Sequence, residues 1–294
     1  MVIPAFLNPT AGNAEEVSAT LKAAGCFRLV PVSANEVTEA VRAAMDDGAE
    51  RVAAVGGDGT ISAAAAALAG KDIDLVVVPA GKFNHFARDI GVPLSLRTAC
   101  EIASSRRIGQ VDVARVNGRL FLNTSSAGLY TNYVKVREQL ESRLGYWPAS
   151  ALAMMRTFAR VRPFKLRFES EVLERPYETP LVFIGVGERE LKLPKLGGRV
   201  DGGRSGLHVL IVRGGTRARL LALGLAAAAR GTRAISRTPH VDSFLVDRCT
   251  IEQRHASVSV DGEIVQISAP LNYEIDRGAL RIVLPENGDG HGHD

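Results

Sequence analysis

Short apolar runs alternate with amphipathic stretches over the first third of the chain. Residues 2–7, 28–32, 51–55 and 75–78 read as strands, the last two nearly continuous in apolar side chains. Residues 14–24 and 36–45 read as helices, and in the second Val37, Ala40, Val41 and Ala44 share one side. Continuous apolar strands alternating with helices predict a parallel sheet covered on both faces, hence an α/β domain.

From about residue 110 the pattern changes. Residues 111–116 and 119–123 flank Asn117-Gly118, the dipeptide of a two-residue hairpin turn. A helical region is predicted over 133–161, interrupted at Gly145 and Pro148. Strands are predicted at 164–168, 181–186 and 207–212, an Ala/Leu-rich helix near 218–229, and more strands from Val241 onward. Mostly β sequence with long connections predicts a β-rich, sandwich-like or open-barrel second domain. The division expected is an α/β nucleotide-binding domain over 1–125 and a β-rich substrate domain over 126–280. A return segment with a frayed, glycine-rich tail follows over 281–294; it carries His291 and His293.

Composition narrows the class without naming a chemistry. A chain of 294 residues, 46% hydrophobic and 23% charged, has ample material for a globular core. No apolar run reaches the roughly 18–20 residues that span a bilayer. Residues 1–6 lack a basic leader and lead straight into strand-like sequence, so no signal peptide is expected. Cys26, Cys100 and Cys249 lack metal-ligand spacing and suit reduced structural thiols, which predicts a cytoplasmic protein. The net charge of +4 is carried mainly by arginine, in one cluster at Arg156, Arg160, Arg162, Lys165 and Arg167 and another from Arg213 to Arg237. Such clusters suit phosphate groups, an anionic membrane surface or simply solvent. Aromatic content of 5% and the lack of any recognition motif argue against nucleic acid.

Four loops carry candidate chemistry. Gly56-Gly57-Asp58-Gly59-Thr60 lies between an apolar run and an alanine-rich helix; its glycines permit close approach of a ligand, and a helix start favours an anion. Asp58 adds a carboxylate, which makes sense beside a metal ion or a transferable proton, or as a simple helix cap. Asn8-Pro9-Thr10-Ala11-Gly12 and Pro79-Ala80-Gly81-Lys82-Phe83-Asn84-His85-Phe86-Ala87-Arg88 also follow predicted parallel strands, so all three line one edge of the sheet. The fourth, Val258-Ser259-Val260-Asp261-Gly262-Glu263, ends a strand with two carboxylates around a glycine; a plain β-turn is the alternative. Neither G-x-x-x-x-G-K-[ST] nor G-x-G-x-x-G is present.

In their order and spacing, these four blocks and the Gly-Ala-Leu…Leu-Pro ending at residues 278–285 resemble the diacylglycerol kinase catalytic-domain family. That family includes bacterial lipid kinases and sphingosine kinases and is related in fold to NAD kinases. The resemblance covers nearly the whole chain. It implies two domains with an active cleft between them, ATP and Mg2+ as cofactors, and a lipid alcohol such as diacylglycerol as acceptor. ATP phosphates would lie on Gly56, Gly57, Asp58, Gly59 and Thr60, with Asn8, Ser33, Gly81, Lys82 and Asn84 near the nucleotide. Asp58 would help hold the metal or assist the hydroxyl. Glu263, beside Asp261, would match the proton acceptor. Phosphoryl transfer is mostly positioning and charge neutralisation, which these residue types can supply.

Several positions depart from the family pattern. Lys82 stands where a threonine is usual, His85 where many members have aspartate, Ala63 where an acid follows the glycine loop, and Arg204-Ser205 where Asp-Asp is common. A second metal site seen in some bacterial relatives is therefore not expected, because Ser205 suits a hard cation poorly. Two alternatives stay open: a member of the fold that binds nucleotide or lipid with little turnover, and a soluble NAD kinase-like enzyme. Residues 146–148 and 151–158, with Arg156, Arg160 and Arg162, mix aromatic, apolar and basic side chains. They suit transient contact with the inner face of a membrane, or packing on the second domain.

Overall fold

The computed structural model of the chain describes residues 2–9, 14–159, 163–191, 196–200, 202–214, 241–253 and 257–286. Thr10, Ala11 and Gly12 of the first loop, Arg160 and Arg162, the helix predicted near 218–229, the arginines from 217 to 237 and the terminal tail lie outside the described residues. The chain divides into two units, residues 1–113 with 276–294, and residues 114–275.

In the first unit the apolar runs become strands β1 (Ile3–Leu7), β2 (Phe27–Pro31), β3 (Arg51–Gly56) and β4 (Asp74–Pro79). Between them lie α1 (Ala14–Ala24), α2 (Val37–Asp46) and α3 (Asp58–Leu68); α4 (His85–Asp89) and α5 (Leu96–Ile102) follow. The strands are parallel, in the order β2-β1-β3-β4. β1, β3 and β4 are buried almost throughout, as strands covered on both faces require, while edge strand β2 is partly exposed. Val37, Val41 and Ala44 form the buried stripe of α2. α3 buries Ala64, Ala65 and Ala67 along with Ile61 and Leu68. α4 lies where the sequence reads as a helix start after Gly81-Lys82; α5 was not anticipated, because seven residues are too few to show a helical period.

β5 (Ile108–Val116) runs into the second unit, and the Asn117-Gly118 hairpin forms as predicted with β6 (Arg119–Phe121). Asn117 and Gly118 have φ of 46° and 83°, the left-handed pair that such a turn demands. Then come β7 (Thr124–Gly128), α6 (Leu129–Leu144), α7 (Tyr146–Ala159), β8 (Phe164–Ser170), β9 (Glu174–Thr179) and β10 (Leu181–Val186). The chain continues with β11 (Arg189–Leu191), β12 (Leu196–Arg199), β13 (Leu207–Val212) and β14 (Val241–Val246). β15 (Arg248–Gln253), β16 (Ser257–Val260), β17 (Glu263–Gln266) and β18 (Leu271–Val283) complete it. One sheet has the antiparallel order β14-β13-β10-β7-β16-β17; in the other, β15 lies between β8 and the start of β18, with β9 beyond β8. Val182, Ile184, Val209 and Ile211 of the first sheet share one core with Leu166, Phe168, Ile251 and Tyr273 of the second, which makes a sandwich.

The α/β N-terminal unit and the antiparallel β-rich second unit both match the expected fold class. Helix α6 begins at Leu129, four residues before the predicted start, and the break falls at Gly145 alone. Pro148 sits in the first turn of α7, where its missing N–H would have had no intrahelical partner.

Candidate functional site

Strand register places the four loop starts of the first unit side by side. Leu7 pairs with Pro31 on one flank and Val55 on the other, and Gly56 pairs with Pro79. Asn8, Ser33, the Gly56–Thr60 turn and the Gly81–Asn84 loop therefore start from one edge of the parallel sheet. That edge is where ligands bind in open α/β folds. Asn8 is half-buried; Ser33 is exposed and donates its hydroxyl hydrogen to Glu36, 2.6 Å away.

Gly57 caps α3, and the first intrahelical bond runs from Ile61 N–H to Gly57 O. The N–H groups of Asp58, Gly59 and Thr60 thus precede that bond at a helix mouth. A Cβ on Gly81 would lie 2.4 Å from the Gly57 Cα, so only glycine lets these two loops touch. Asn84, at φ 51° and buried, closes its own loop by accepting from Gly81 N–H at 3.0 Å and donating to Gly81 O at 2.9 Å. The touching glycines fix Lys82 one residue from the contact. Its ammonium lies 5.6 Å from the Phe83 ring centre, and Phe83 stacks on His85. Thr60 is buried, with its side chain folded towards Gly56.

Asp58 is not the cap of its own helix. Its carboxylate accepts N–H bonds from Phe86 at 3.0 Å and His85 at 3.2 Å, and so holds the first turn of α4. This position tests the fit of a resident divalent cation. Hard cations need several oxygen ligands; here both carboxylate oxygens already accept N–H bonds, with Ala63 and His85 as neighbours. Among the described residues no group of three or more His, Cys, Asp or Glu could hold a metal. Among the described residues, Asp58 with Ala63 and His85 beside it does not by itself make a resident metal site.

In the second unit, Asp261 and Gly262 form the two-residue turn between β16 and β17, with φ of 48° and 88°. Asp261 accepts from the N–H groups of Leu122, Asn123 and Thr124 at 2.8, 2.8 and 3.0 Å, and its own N–H donates to Thr124 O at 2.8 Å. Two residues on, Glu263 is exposed and pairs with Arg119 at 2.9 Å. One short segment, residues 119–124, therefore cradles both acids: its backbone takes Asp261 and its arginine takes Glu263. Sequence reading missed Arg119, because nothing local in sequence links it to a residue 144 positions away. The Asp-Gly dipeptide was the available signal for the turn.

The same segment borders a polar cluster. Buried Arg189 donates to Val186 O at 2.9 Å, and its backbone N–H donates to His208 Nδ1 at 2.9 Å. Burial, reinforced by Arg189 and Arg204 against the pull of Glu188, holds the His208 ring below the usual histidine range. Glu188 accepts from Arg204 N–H at 3.3 Å and Nε at 3.4 Å, and these bonds keep its carboxyl below the usual range despite some burial. At Arg204-Ser205, where the family pattern has Asp-Asp, the loop is closed by an arginine and a glutamate.

Residues 3–116 match the diacylglycerol kinase catalytic domain. A Pseudomonas fluorescens protein named Probable lipid kinase YegS-like is 30% identical over 262 residues, 86% of this chain and 84% of that protein. A protein of the same name from Cronobacter sakazakii is 39% identical over 111 residues, which is 36% of this chain and 37% of the relative's length. In a crystal structure of a diacylglycerol kinase from Bacillus anthracis, the fold is shared over 97% of each chain at TM-score 0.69 and 18% identity. The similarity to the Pseudomonas protein is too long to lie within either unit alone. The chain belongs to the diacylglycerol kinase catalytic-domain family, a family of phosphotransferases acting on alcohol groups.

Proposed function

We propose that the protein is an ATP-dependent lipid kinase that phosphorylates the hydroxyl of a lipid alcohol such as diacylglycerol. The single observation that carries this reading is the acid pair on its cradle. Asp261 is locked by three backbone N–H groups, which presents Glu263 on an exposed strand end as the proton acceptor for the lipid hydroxyl. In the first unit, the N–H groups at the start of α3 suit the donor phosphates, with Asn8, Ser33, Gly81 and Asn84 framing the nucleotide. Lys82 adds a positive charge where the family commonly has a hydroxyl. Mg2+ enters this reading on the nucleotide phosphates, because the described residues offer no resident site for it.

The test is direct. Protein incubated with Mg2+, labelled ATP and a panel of lipid alcohols should yield a labelled phospholipid, and NAD offered as acceptor should stay unlabelled. ATP binding by the folded protein without transfer to any lipid alcohol would favour a nucleotide-binding member of the fold.

A further inference from the structure

We propose that Arg119 is a catalytic residue: its guanidinium passes from the Glu263 carboxylate to the transferred phosphoryl group as that carboxylate takes the hydroxyl proton. The inference deepens the lipid-kinase reading and rests on it for the role of Glu263. Arg119 itself lies outside every block that carries the family resemblance.

The pair is built on fixed backbone from both sides. Glu263 opens β17 across from Val260, directly after the Asp261-Gly262 turn. Arg119 opens β6 across from Val116 of β5. The chain that follows it gives the N–H groups of Leu122, Asn123 and Thr124 to Asp261. Asp261 thus ties the strand that carries the arginine to the turn that carries the glutamate. Arg119 Nη2 donates to Glu263 Oε2 at 2.9 Å, with the two side chains 47% and 63% exposed. A guanidinium has five N–H donors in one plane. Those of Arg119 beyond this bond have no partner among the described residues, and neither has Glu263 Oε1. Exposed pairs add little to stability; what this one leaves open is a carboxylate oxygen with N–H donors beside it.

That juxtaposition suits both halves of one step. A lipid hydroxyl on Oε1 gives its proton to Glu263 while its oxygen bonds to the terminal phosphorus of ATP. The bond from that phosphorus to the bridging oxygen breaks, which leaves lipid phosphate, ADP and a protonated Glu263 that returns its proton to water. The phosphoryl oxygens then sit on the atom next to the former hydroxyl oxygen, and so beside the guanidinium whichever way the donor is presented. Before the step, Arg119 balances the charge of Glu263. Once Glu263 has taken the proton it is neutral, and the positive charge is left facing the phosphoryl oxygens. The planar fork of arginine fits phosphate oxygens in pairs, which a single ammonium does not.

Steady-state transfer by the full chain in detergent micelles, with Mg2+, labelled ATP and the lipid alcohol that accepts label, gives the first readout. R119Q should lower kcat by about a hundredfold, with the KM of ATP and of the lipid moved less than about threefold and the unfolding temperature unchanged. R119K should recover only part of the rate. Guanidinium chloride at a non-denaturing concentration should restore part of the R119A rate and none of the Glu263→Gln rate, a response that a purely structural arginine would not give. The second readout needs no transfer. Glu263→Gln is a neutral copy of the protonated acid, so it should bind dioctanoyl phosphatidic acid about tenfold more tightly than the wild type. R119Q/E263Q should lose that gain, while dioctanoylglycerol binds all three alike. Should R119Q fail to fold, R119K and R119K/E263Q are read by the same criteria. An R119Q kcat equal to or above that of the wild type, no gain in Glu263→Gln, or a gain that survives R119Q would overturn the proposal. The two readings fail separately. Transfer that R119Q leaves intact defeats only the role of Arg119, and an Arg119-dependent gain without transfer to any lipid alcohol defeats only the kinase assignment.

Discussion

A carboxylate that accepts three backbone N–H groups, as Asp261 does, is committed to holding a turn. Its neighbour Glu263 is exposed and pairs with the exposed Arg119, a pairing worth about 1 kcal/mol or less. The two acids should therefore fail differently. Asp261→Ala strands three N–H donors and is expected to cost about 2–4 kcal/mol of stability, read as a lowered denaturation midpoint. Glu263→Gln should leave that midpoint in place while lowering phosphoryl transfer by about a hundredfold to ten-thousandfold. Transfer that survives Glu263→Gln would remove Glu263 from the chemistry. Asp58 resembles Asp261 more than Glu263, since its oxygens take the N–H groups of His85 and Phe86. A motif comparison marks all three acids alike; what each carboxylate touches separates them.

At the scale of elements, legibility followed burial. β3 and β4 stood out because strands covered on both faces must be apolar throughout. β9, Glu174–Thr179, was not predicted. Only Tyr177 and Thr179 of its six residues are buried, and it contains Pro176, so its sequence reads as a loop. β7, Thr124–Gly128, was missed for the opposite reason: it is central and mostly buried, yet built from threonine, serines, alanine and glycine. The loops of the candidate site were legible as glycine and Asp-Gly signals. Their fastenings were not, because the Gly57–Gly81 contact and the Arg119–Glu263 pair join residues far apart in sequence.

The hairpin of β11 and β12 leans on β13 through a histidine, which gives this region a pH dependence. His208 Nδ1 accepts the Arg189 N–H, so the ring must be unprotonated at that nitrogen. Its folded pKa lies below 6.5, with burial as the main cause. As pH falls through the unfolded value of about 6.5 the unfolded chain takes up the proton first, and stability drops. The unfolding temperature should therefore fall between about pH 7.5 and about pH 5.5, and less so in His208→Gln. An identical pH slope in that variant would show that His208 is not the group responsible.

At the scale of the molecule, β18 begins in the second unit and ends in the first. From Asp276 onward it supplies the first unit with a strand beside β4, a bond from Gly70 N–H to Ala279 O at 2.7 Å, and Arg281 at 2.9 Å from Asp74. Asp74 also receives Arg51 at 3.0 Å, in a largely buried setting. A chain ended after Ile275 should lose the cooperative unfolding of its first unit, seen as a missing or broadened calorimetric transition, although residues 1–113 are intact. Synthesis runs from the N-terminus, so the first unit waits for the whole second unit to be made before its last strand exists. The ribosome must hold an unfinished, apolar-edged sheet while some 160 intervening residues emerge, and anything that stalls translation in that interval leaves β4 with an open flank.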